Sequence, residues 1–341
     1  MRYGCAMKTN ALAHHRKDAA TGISVDLSRT RSSLRRTISA VARRLFLVMA
    51  CVWLLPACTP QQPAAYEPAY SGKSSATKSG AEYRFAVHPL HNPRRLFEVY
   101  QPLVDLINES AAPAFHLKLE TSRDYATFEA KLASQKFEFA VPNPYQTLEC
   151  EARGYTIIGK MGNDHQFRGI IVVRRDTALQ SIADLKGAPI SFPAPTALAA
   201  TMMPRMYLFE HGLQVDDINA RYVGSQESAI MNVLFGKTVA AGTWPPPWEA
   251  LLRRRPELNQ ELMIKWETAP LVNNGLVVRN DMPAGHIKLV ESVIFHLHEH
   301  ARGRAILDVM EIGRFEVAGT ATFEPVRQFV RDYEVAFGRL P

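Results

Sequence analysis

Gly169-Ile-Ile-Val-Val-Arg-Arg-Asp176 and Gly275-Leu-Val-Val-Arg-Asn-Asp281 are near copies, separated by the whole of 177–274. Each is a short β-branched run closed by charged residues, the pattern of a strand. Between them lies an α/β unit. It holds a capped turn at Ser181-Ile182-Ala183-Asp184, a strand over Ala188 to Phe192, and a small-residue helical run from Thr196 to His211 that stops at Gly212. Ser225 then caps a helix carrying Ile230, Val233 and Leu234, which ends at Gly236 before a short strand over Val239 to Ala241. After the second copy the apolar spacing is helical: Ile287, Val290, Ile294 and Leu297 share one face, and Val326, Phe329, Val330, Tyr333 and Phe337 another. The chain therefore leaves one lobe through the first copy and returns through the second. That organisation defines a hinge protein closing on a ligand between two lobes. Two tandem repeats are the alternative, but they would need a second set of strands after residue 281, and the sequence offers none.

The segment before the first copy repeats the rhythm. Tyr83-Arg-Phe-Ala-Val-His-Pro reads as a strand, and after His91-Asn92-Pro93 the residues Leu96, Val99, Tyr100, Leu103, Leu106 and Ile107 fall at helical spacing. Phe115 to Glu120 is a second strand, Arg123 to Ser134 a helix, and Phe137, Phe139 and Val141 a third strand ending in Pro142-Asn143-Pro144-Tyr145. Alternating strands and helices imply a parallel α/β sheet. We expect a first lobe over 82–168 and 275–341 and a second over 169–274, which suits a chain of 341 residues.

The net charge of +7 is no sign of nucleic-acid binding. Residues 1–57 hold ten Lys/Arg against two Asp/Glu, so the rest of the chain stands at −1. This first segment reads as a signal or leader peptide: Arg35, Arg36, Arg43 and Arg44 precede the apolar run Leu45 to Leu55, which is too short to span a bilayer, for which about 20 residues are needed. Leu55-Pro56-Ala57-Cys58 resembles a bacterial lipobox, with Pro56 departing from the usual small or aliphatic residue, and it makes Cys58 the expected lipidation site. An ordinary cleaved signal is the alternative. Ala42-Arg43-Arg44-Leu45-Phe46-Leu47 also resembles a twin-arginine signal. Residues 58–81, rich in Pro, Ser, Ala and Gly, read as a flexible tether. Loss of Cys5 and Cys51 with the leader and acylation of Cys58 would leave Cys150 alone, so no intramolecular disulfide is expected.

Several stretches in this order and spacing resemble the periplasmic binding proteins of phosphate, phosphite and phosphonate ABC transporters, within the type 2 periplasmic-binding superfamily. They are Tyr100-Gln-Pro-Leu103, Phe137-Glu-Phe-Ala-Val-Pro-Asn-Pro-Tyr145, Ile170-Ile-Val-Val-Arg-Arg-Asp176, Ile182-Ala-Asp-Leu-Lys-Gly187, and Pro204 with His211-Gly212-Leu213. The resemblance covers about residues 83–337 and implies an α/β, two-lobed type 2 periplasmic-binding-protein-like fold, with one lobe discontinuous and two crossover strands. It also implies a receptor that captures a small anion and hands it to a membrane permease. Free N–H groups and the dipole at a helix start suit such a ligand. The family's contact pattern is eroded, however: Ala197-Leu198-Ala199 stands where phosphonate binders carry Ser-Thr-Ser, Phe167 where a Tyr is usual, Gln226 where the pattern has His, and Ala240 where it has Asp. Each lost hydrogen bond to a charged group costs about 1.5–3 kcal/mol, so the ligand is expected not to be a phosphonate.

The residues expected to bind ligand are Tyr145, Arg168, Thr196, Ala197, Ser225, Gln226, Trp244 and His88, each with a plainer role beside it. Thr196, Ser225 and Gln226 begin cleft-side helices and could simply cap them. Tyr145 ends a parallel strand, where open α/β sheets place ligands, or packs in the core. Arg168 offers a bidentate fork for an anion, or is a surface residue at a strand edge. Three prolines in Gly242-Thr-Trp-Pro-Pro-Pro-Trp248 imply a stiff extended backbone, from which Trp244 stacks on a planar or cationic ligand or covers a rigid turn. Arg253-Arg254-Arg255 reads as a solvated helix end. His88, His91 and Asn92 lie in the first strand-to-helix loop near the same rim. The two histidines invite a metal, but no third ligand stands nearby, and neither metal nor cofactor is expected.

No Ser/His/Asp order, Cys nucleophile or paired carboxylates stand at strand ends, so an enzyme of the same fold ranks low. The leading expectation is a monomeric, exported solute-binding lipoprotein in the periplasm, anchored to the membrane and partnered by an ABC permease. A periplasmic ligand sensor coupled to a membrane receptor is the alternative.

Overall fold

The computed structural model describes residues 80–340, so the expected leader, Cys58 and nearly all of the tether lie outside the described residues. The first five elements alternate as the sequence predicts: β1 (Ala81–Val87), α1 (Pro93–Ala111), β2 (Phe115–Glu120), α2 (Tyr125–Ala133) and β3 (Phe139–Val141); α3 (Pro144–Glu151) and β4 (Tyr155–Met161), which the sequence reading did not single out, continue the rhythm. Side-chain caps start each of the three helices. Asn92 accepts from the Arg95 amide, Asp124 from Thr127, and Asn143 from Gln146 in a full capping box.

A loop leads to β5 (Ile170–Arg174), β6 (Pro189–Phe192), α4 (Met203–Glu210), β7 (Asn219–Tyr222), α5 (Gln226–Leu234), β8 (Ala240–Thr243), α6 (Pro245–Arg254), α7 (Leu258–Glu261) and β9 (Leu262–Glu267). The chain closes with β10 (Gly275–Arg279), α8 (Ala284–Ile294), α9 (Ala301–Met310), β11 (Phe315–Val317) and α10 (Glu324–Phe337).

Two sheets result, with orders β2-β1-β3-β10-β4-β11 and β7-β6-β8-β5-β9. The first five positions correspond one to one. In each sheet the returning copy of the Gly-Ile/Leu-Val-Val motif, β10 in one and β5 in the other, lies antiparallel to both its neighbours, while the strands beyond pair in parallel. Each copy also carries a register shift at the same place, between Leu276 and Val277 and between Ile171 and Val172. Repeated sequence has become repeated topology. The chain crosses between the sheets twice, from β4 to β5 and from β9 to β10.

The β-branched composition of β5 follows from burial on both faces. Ile170 and Val172 pack with Ile230, Val233 and Trp248 on one side, and Ile171 and Val173 pack with Ile190, Phe192 and Leu208 on the other. Full burial of each such side chain contributes about 1.5–3 kcal/mol. The first lobe is held by Phe85, Phe128, Phe137 and Phe139, with the Phe128 and Phe137 rings stacked at 5.6 Å.

Several local expectations change. The proline run after Trp244 does not stay extended: Pro245, Pro246 and Pro247 open α6. At the head of a helix the missing N–H groups have no intrahelical partner to lose, and the fixed proline φ is already helical. The run after Thr196 is first a π-helical turn, Leu198–Met202, and becomes α-helical only at Met203. Its end at Gly212, φ +104, is as expected. The strand foreseen over Val239 to Ala241 falls one to two residues later, as β8. Finally, β11 supplies a strand after residue 281, but it is a single edge strand added to β4 of the first sheet. No further sheet follows residue 281 among the described residues.

Candidate functional site

Between the sheets, a narrow space is lined by His88, Tyr125, Asn143, Phe167 and Asn274 on the first-lobe and crossover side. Ala197 to Ala200, Gln226 and Trp244 line it on the second-lobe side. Local structure explains the placement: His88 follows β1, Asn143 caps α3, the π-turn follows β6, Gln226 opens α5 and Trp244 caps α6. All are ends of strands or starts of helices, where open α/β sheets place their ligands. The cavity measures about 10 Å³, room for about one water.

The lining carries no charged side chain among the described residues. His88 is buried, and burial pushes its pKa down to about 4, so its imidazole is neutral. Both its backbone N–H and its Nδ1–H donate to the Val141 carbonyl at 3.1 Å, which leaves Nε2 as an acceptor. Gln226 is held from both sides: the Thr243 hydroxyl donates to its Oε1 at 2.9 Å, and its Nε2 donates to the Tyr125 hydroxyl at 3.4 Å across the lobes. Among the described residues, the amides of Leu198, Ala199 and Ala200 make no hydrogen bond to a backbone carbonyl. The π-turn sits this close to β8 only because Gly242 has no side chain; a Cβ there would lie 2.2 Å from the Ala200 carbonyl oxygen.

A polar latch flanks this space. The Asn143 amide donates to the Thr196 carbonyl at 3.0 Å, the Thr196 hydroxyl donates to Glu129, and the Gln146 amide donates to the same Glu129 oxygen at 2.8 Å. Burial holds the Glu129 carboxyl above the usual carboxylate range, against the lowering effect of those two donors.

His88, Ala197, Gln226 and Trp244 thus come together at the cleft. Tyr145, expected to end a strand, stands instead in the first turn of α3, because the strand stops at Val141 and Asn143 caps a helix; it and Thr196 lie beside the cleft, lining a separate 210 Å³ cavity with Glu129, Glu149 and Arg153. The Tyr145 hydroxyl is pushed up to about 12 by burial and by Glu149. Ser225 lines a third, outer cavity, and its side chain caps α5 by accepting from the Ser228 amide at 3.1 Å. Arg168 stands apart from all three, donating to Glu267 at 2.5 Å and to the His165 carbonyl at 3.1 Å. Trp244 packs edge-on against Phe167 at 5.3 Å. Ala240 sits in the second-lobe core with Ile171 and Phe192, away from the cleft. Cys150 is a buried free thiol, and burial raises its pKa. Sequence reading did not single out Tyr125, Glu129 or Asn274. Asn143 was legible only as part of a Pro-Asn-Pro turn, although Asn before a helical proline is a capping signal.

Two α/β lobes, two crossings and a cleft lined from both sides define the two-lobed periplasmic-binding class. The profile of the family described as "ABC transporter, phosphonate, periplasmic substrate-binding protein" matches residues 85–323, and the chain belongs to that family. It is 23% identical over 189 residues to a probable ABC transporter phosphite binding protein, PhnD1, of Prochlorococcus marinus (strain MIT 9301). That match covers 51% of this chain and 64% of the relative, so the chain spans just under two thirds of that relative's length. Among solved structures, PhnD1 of the same organism in complex with methylphosphonate superposes with a TM-score of 0.68 at 18% identity, over 74% of this chain and 97% of that one. The binding protein component of an ABC phosphonate transporter from Pseudomonas aeruginosa also gives 0.68, at 16% identity, over 74% and 87%. At such identities the likeness speaks to the fold.

Proposed function

We propose that this chain is a periplasmic solute-binding protein, tethered through a lipid on Cys58, that captures a small anionic ligand between its lobes and presents it to an ABC permease. One observation carries the reading: residues from both lobes line a single space beside two crossings, so closure and binding are the same event. With room for about one water, the cleft admits a solute only after the lobes part about the segments 162–169 and 268–274. The free amides of Leu198 to Ala200 supply donors without charge. A phosphonate is disfavoured, because Ala197, Leu198 and Ala199 bring no hydroxyl and neutral His88 offers an acceptor.

The test is a thermal-shift screen of the purified chain against phosphate, phosphite, phosphonates, sulfonates, carboxylates and thiamine-like compounds. A true ligand at saturation raises Tm by several degrees, following mass action. No shift with any compound would overturn the reading. For the anchor, Cys58→Ser should move the protein from the membrane to the soluble fraction.

A further inference from the structure

We propose that the anionic head of the ligand is held in the outer cavity, between Arg95 of the first lobe and Arg254 of the second, and that this head is a tetrahedral oxyanion other than a phosphonate. This inference rests on the solute-binding reading and relocates the charge recognition that the inner cleft lacks.

The outer cavity measures about 340 Å³, within the range of small-molecule sites, against about 10 Å³ for the inner space. Gln226 lines both, so the two adjoin at that residue. Arg95 lies in the first turn of α1 and Arg254 at the end of α6, which puts one guanidinium on each side of the closing lobes. Neither is fully engaged. The Nε of Arg95 is buried and has no hydrogen-bond partner among the described residues, while its Nη1 reaches Glu98 at 3.3 Å. Arg254 gives one hydrogen bond, from Nη2 to Glu227 at 3.0 Å. A guanidinium has five donors in a planar fork suited to an oxyanion.

Glu227 also lines the cavity, so the wall holds two positive side chains and one negative. The balance is felt at His91, whose pKa is driven down to about 3 by burial first and then by Arg95 and Arg254. Its ring stays neutral and is a polar partner rather than a competing charge. The Ser225 and Ser228 hydroxyls add polar contacts at the start of α5, and Met231 and Pro247 provide an apolar wall for the rest of the ligand. An anion bridging the two arginines would favour the closed arrangement of the lobes, because both are in reach only when the lobes meet.

The experiment is calorimetric titration of the purified chain with inorganic phosphate, methanesulfonate and a phosphate monoester, repeated on Arg95→Gln/Arg254→Gln and on the corresponding Arg→Lys pair. The wild type should bind at least one probe, and the Gln pair should bind it about 100-fold more weakly, about tenfold for each lost charged contact. The Lys pair should fall between them, because it keeps charge without the fork. Wild-type affinity should also drop as salt rises from about 20 to 200 mM, a readout independent of any variant. Equal binding by wild type and the Gln pair would overturn the cavity assignment and leave the solute-binding reading standing. Failure of the wild type to bind any tetrahedral anion also overturns the assignment. The parent reading falls with it only if the wider screen finds no ligand of any charge.

Discussion

Asn143 ties the lobes together: its side-chain amide donates to the Thr196 carbonyl at 3.0 Å, while its side-chain oxygen caps α3 at the Gln146 amide. One residue thus serves the fold with one atom and lobe closure with another. The two roles can be separated. Asn143→Asp keeps the cap, since Asp is an equally good N-cap, but removes the donor and sets a carboxylate against a carbonyl. The variant should lose about 1–3 kcal/mol of closure while α3 persists, and solution scattering should show a larger radius of gyration. A scattering profile identical to wild type would mean the latch is incidental.

Protonation sets a second prediction. Burial lowers the His88 pKa to about 4 from an unfolded value near 6.5, so the unfolded chain takes up a proton first as pH falls. Its contribution is fully present above about pH 6.5 and is lost on the way down to about 4, at up to about 1.4 kcal/mol per pH unit. Urea denaturation of His88→Asn across that window should show a slope smaller by one proton, and an unchanged slope would remove His88 from the account. Glu129 acts with the opposite sign: its raised carboxyl costs the folded state as pH rises through the folded pKa. Glu129→Gln can still accept from Thr196 and Gln146, so it should be more stable than wild type at pH 7 and not at low pH.

Gly242 offers a purely steric test. A Cβ there would meet the Ala200 carbonyl at 2.2 Å and the Phe192 ring at 2.6 Å, both buried neighbours with nowhere to retreat. Gly242→Ala should destabilise by about 1–3 kcal/mol through overpacking and push the π-turn away from β8. Equilibrium denaturation with a wild-type midpoint would show that this turn is softer than its packing implies.

The lobes and crossings were legible because β5 and β10 are buried on both faces and therefore read as uninterrupted β-branched runs. β4, β7, β9 and β11 were not: Tyr155–Met161 carries Gly159 and Lys160 within its run, Asn219–Tyr222 and Leu262–Glu267 are largely half-exposed, and Phe315–Val317 adds only three residues at a sheet edge. The cleft was partly legible: His88, Ala197, Gln226 and Trp244 fall at element ends that the strand–helix rhythm locates. Arg168 illustrates what sequence withholds, because whether a guanidinium faces a cleft or an exposed Glu267 is decided by one side-chain direction. Arg95 was hidden for the same reason, as one arginine of a charged first turn whose buried, orphaned Nε no local pattern signals. Pro245 to Pro247 misled by local rule: prolines stiffen an extended chain, and they start a helix equally well.

The C-terminal helix supplies the last prediction, because α10 is fastened to both lobes. Near its start Arg327 pairs with Glu151 at the end of α3, in the first lobe. Near its end, Tyr333 accepts from Arg205 of α4 at 2.5 Å, the Arg205 guanidinium lies 4.4 Å from the centre of the Phe337 ring, and Phe337 meets Phe209 edge-on at 5.7 Å. Parting the lobes must therefore break one of these fastenings. The first is a partly buried ion pair, with its side chains 30% and 19% exposed, and a lone pair of this kind contributes about 1 kcal/mol. The second combines a charge-assisted hydrogen bond with a cation–π contact worth about 0.5–2 kcal/mol, so it is the stronger brake. Arg205→Ala should loosen the hinge more than Arg327→Ala. Amide exchange should rise along Tyr333 to Phe337 in the first variant and stay near wild type there in the second. Equal exchange in both would show that the aromatic contact with Phe209, and not the arginine, holds the helix to the second lobe.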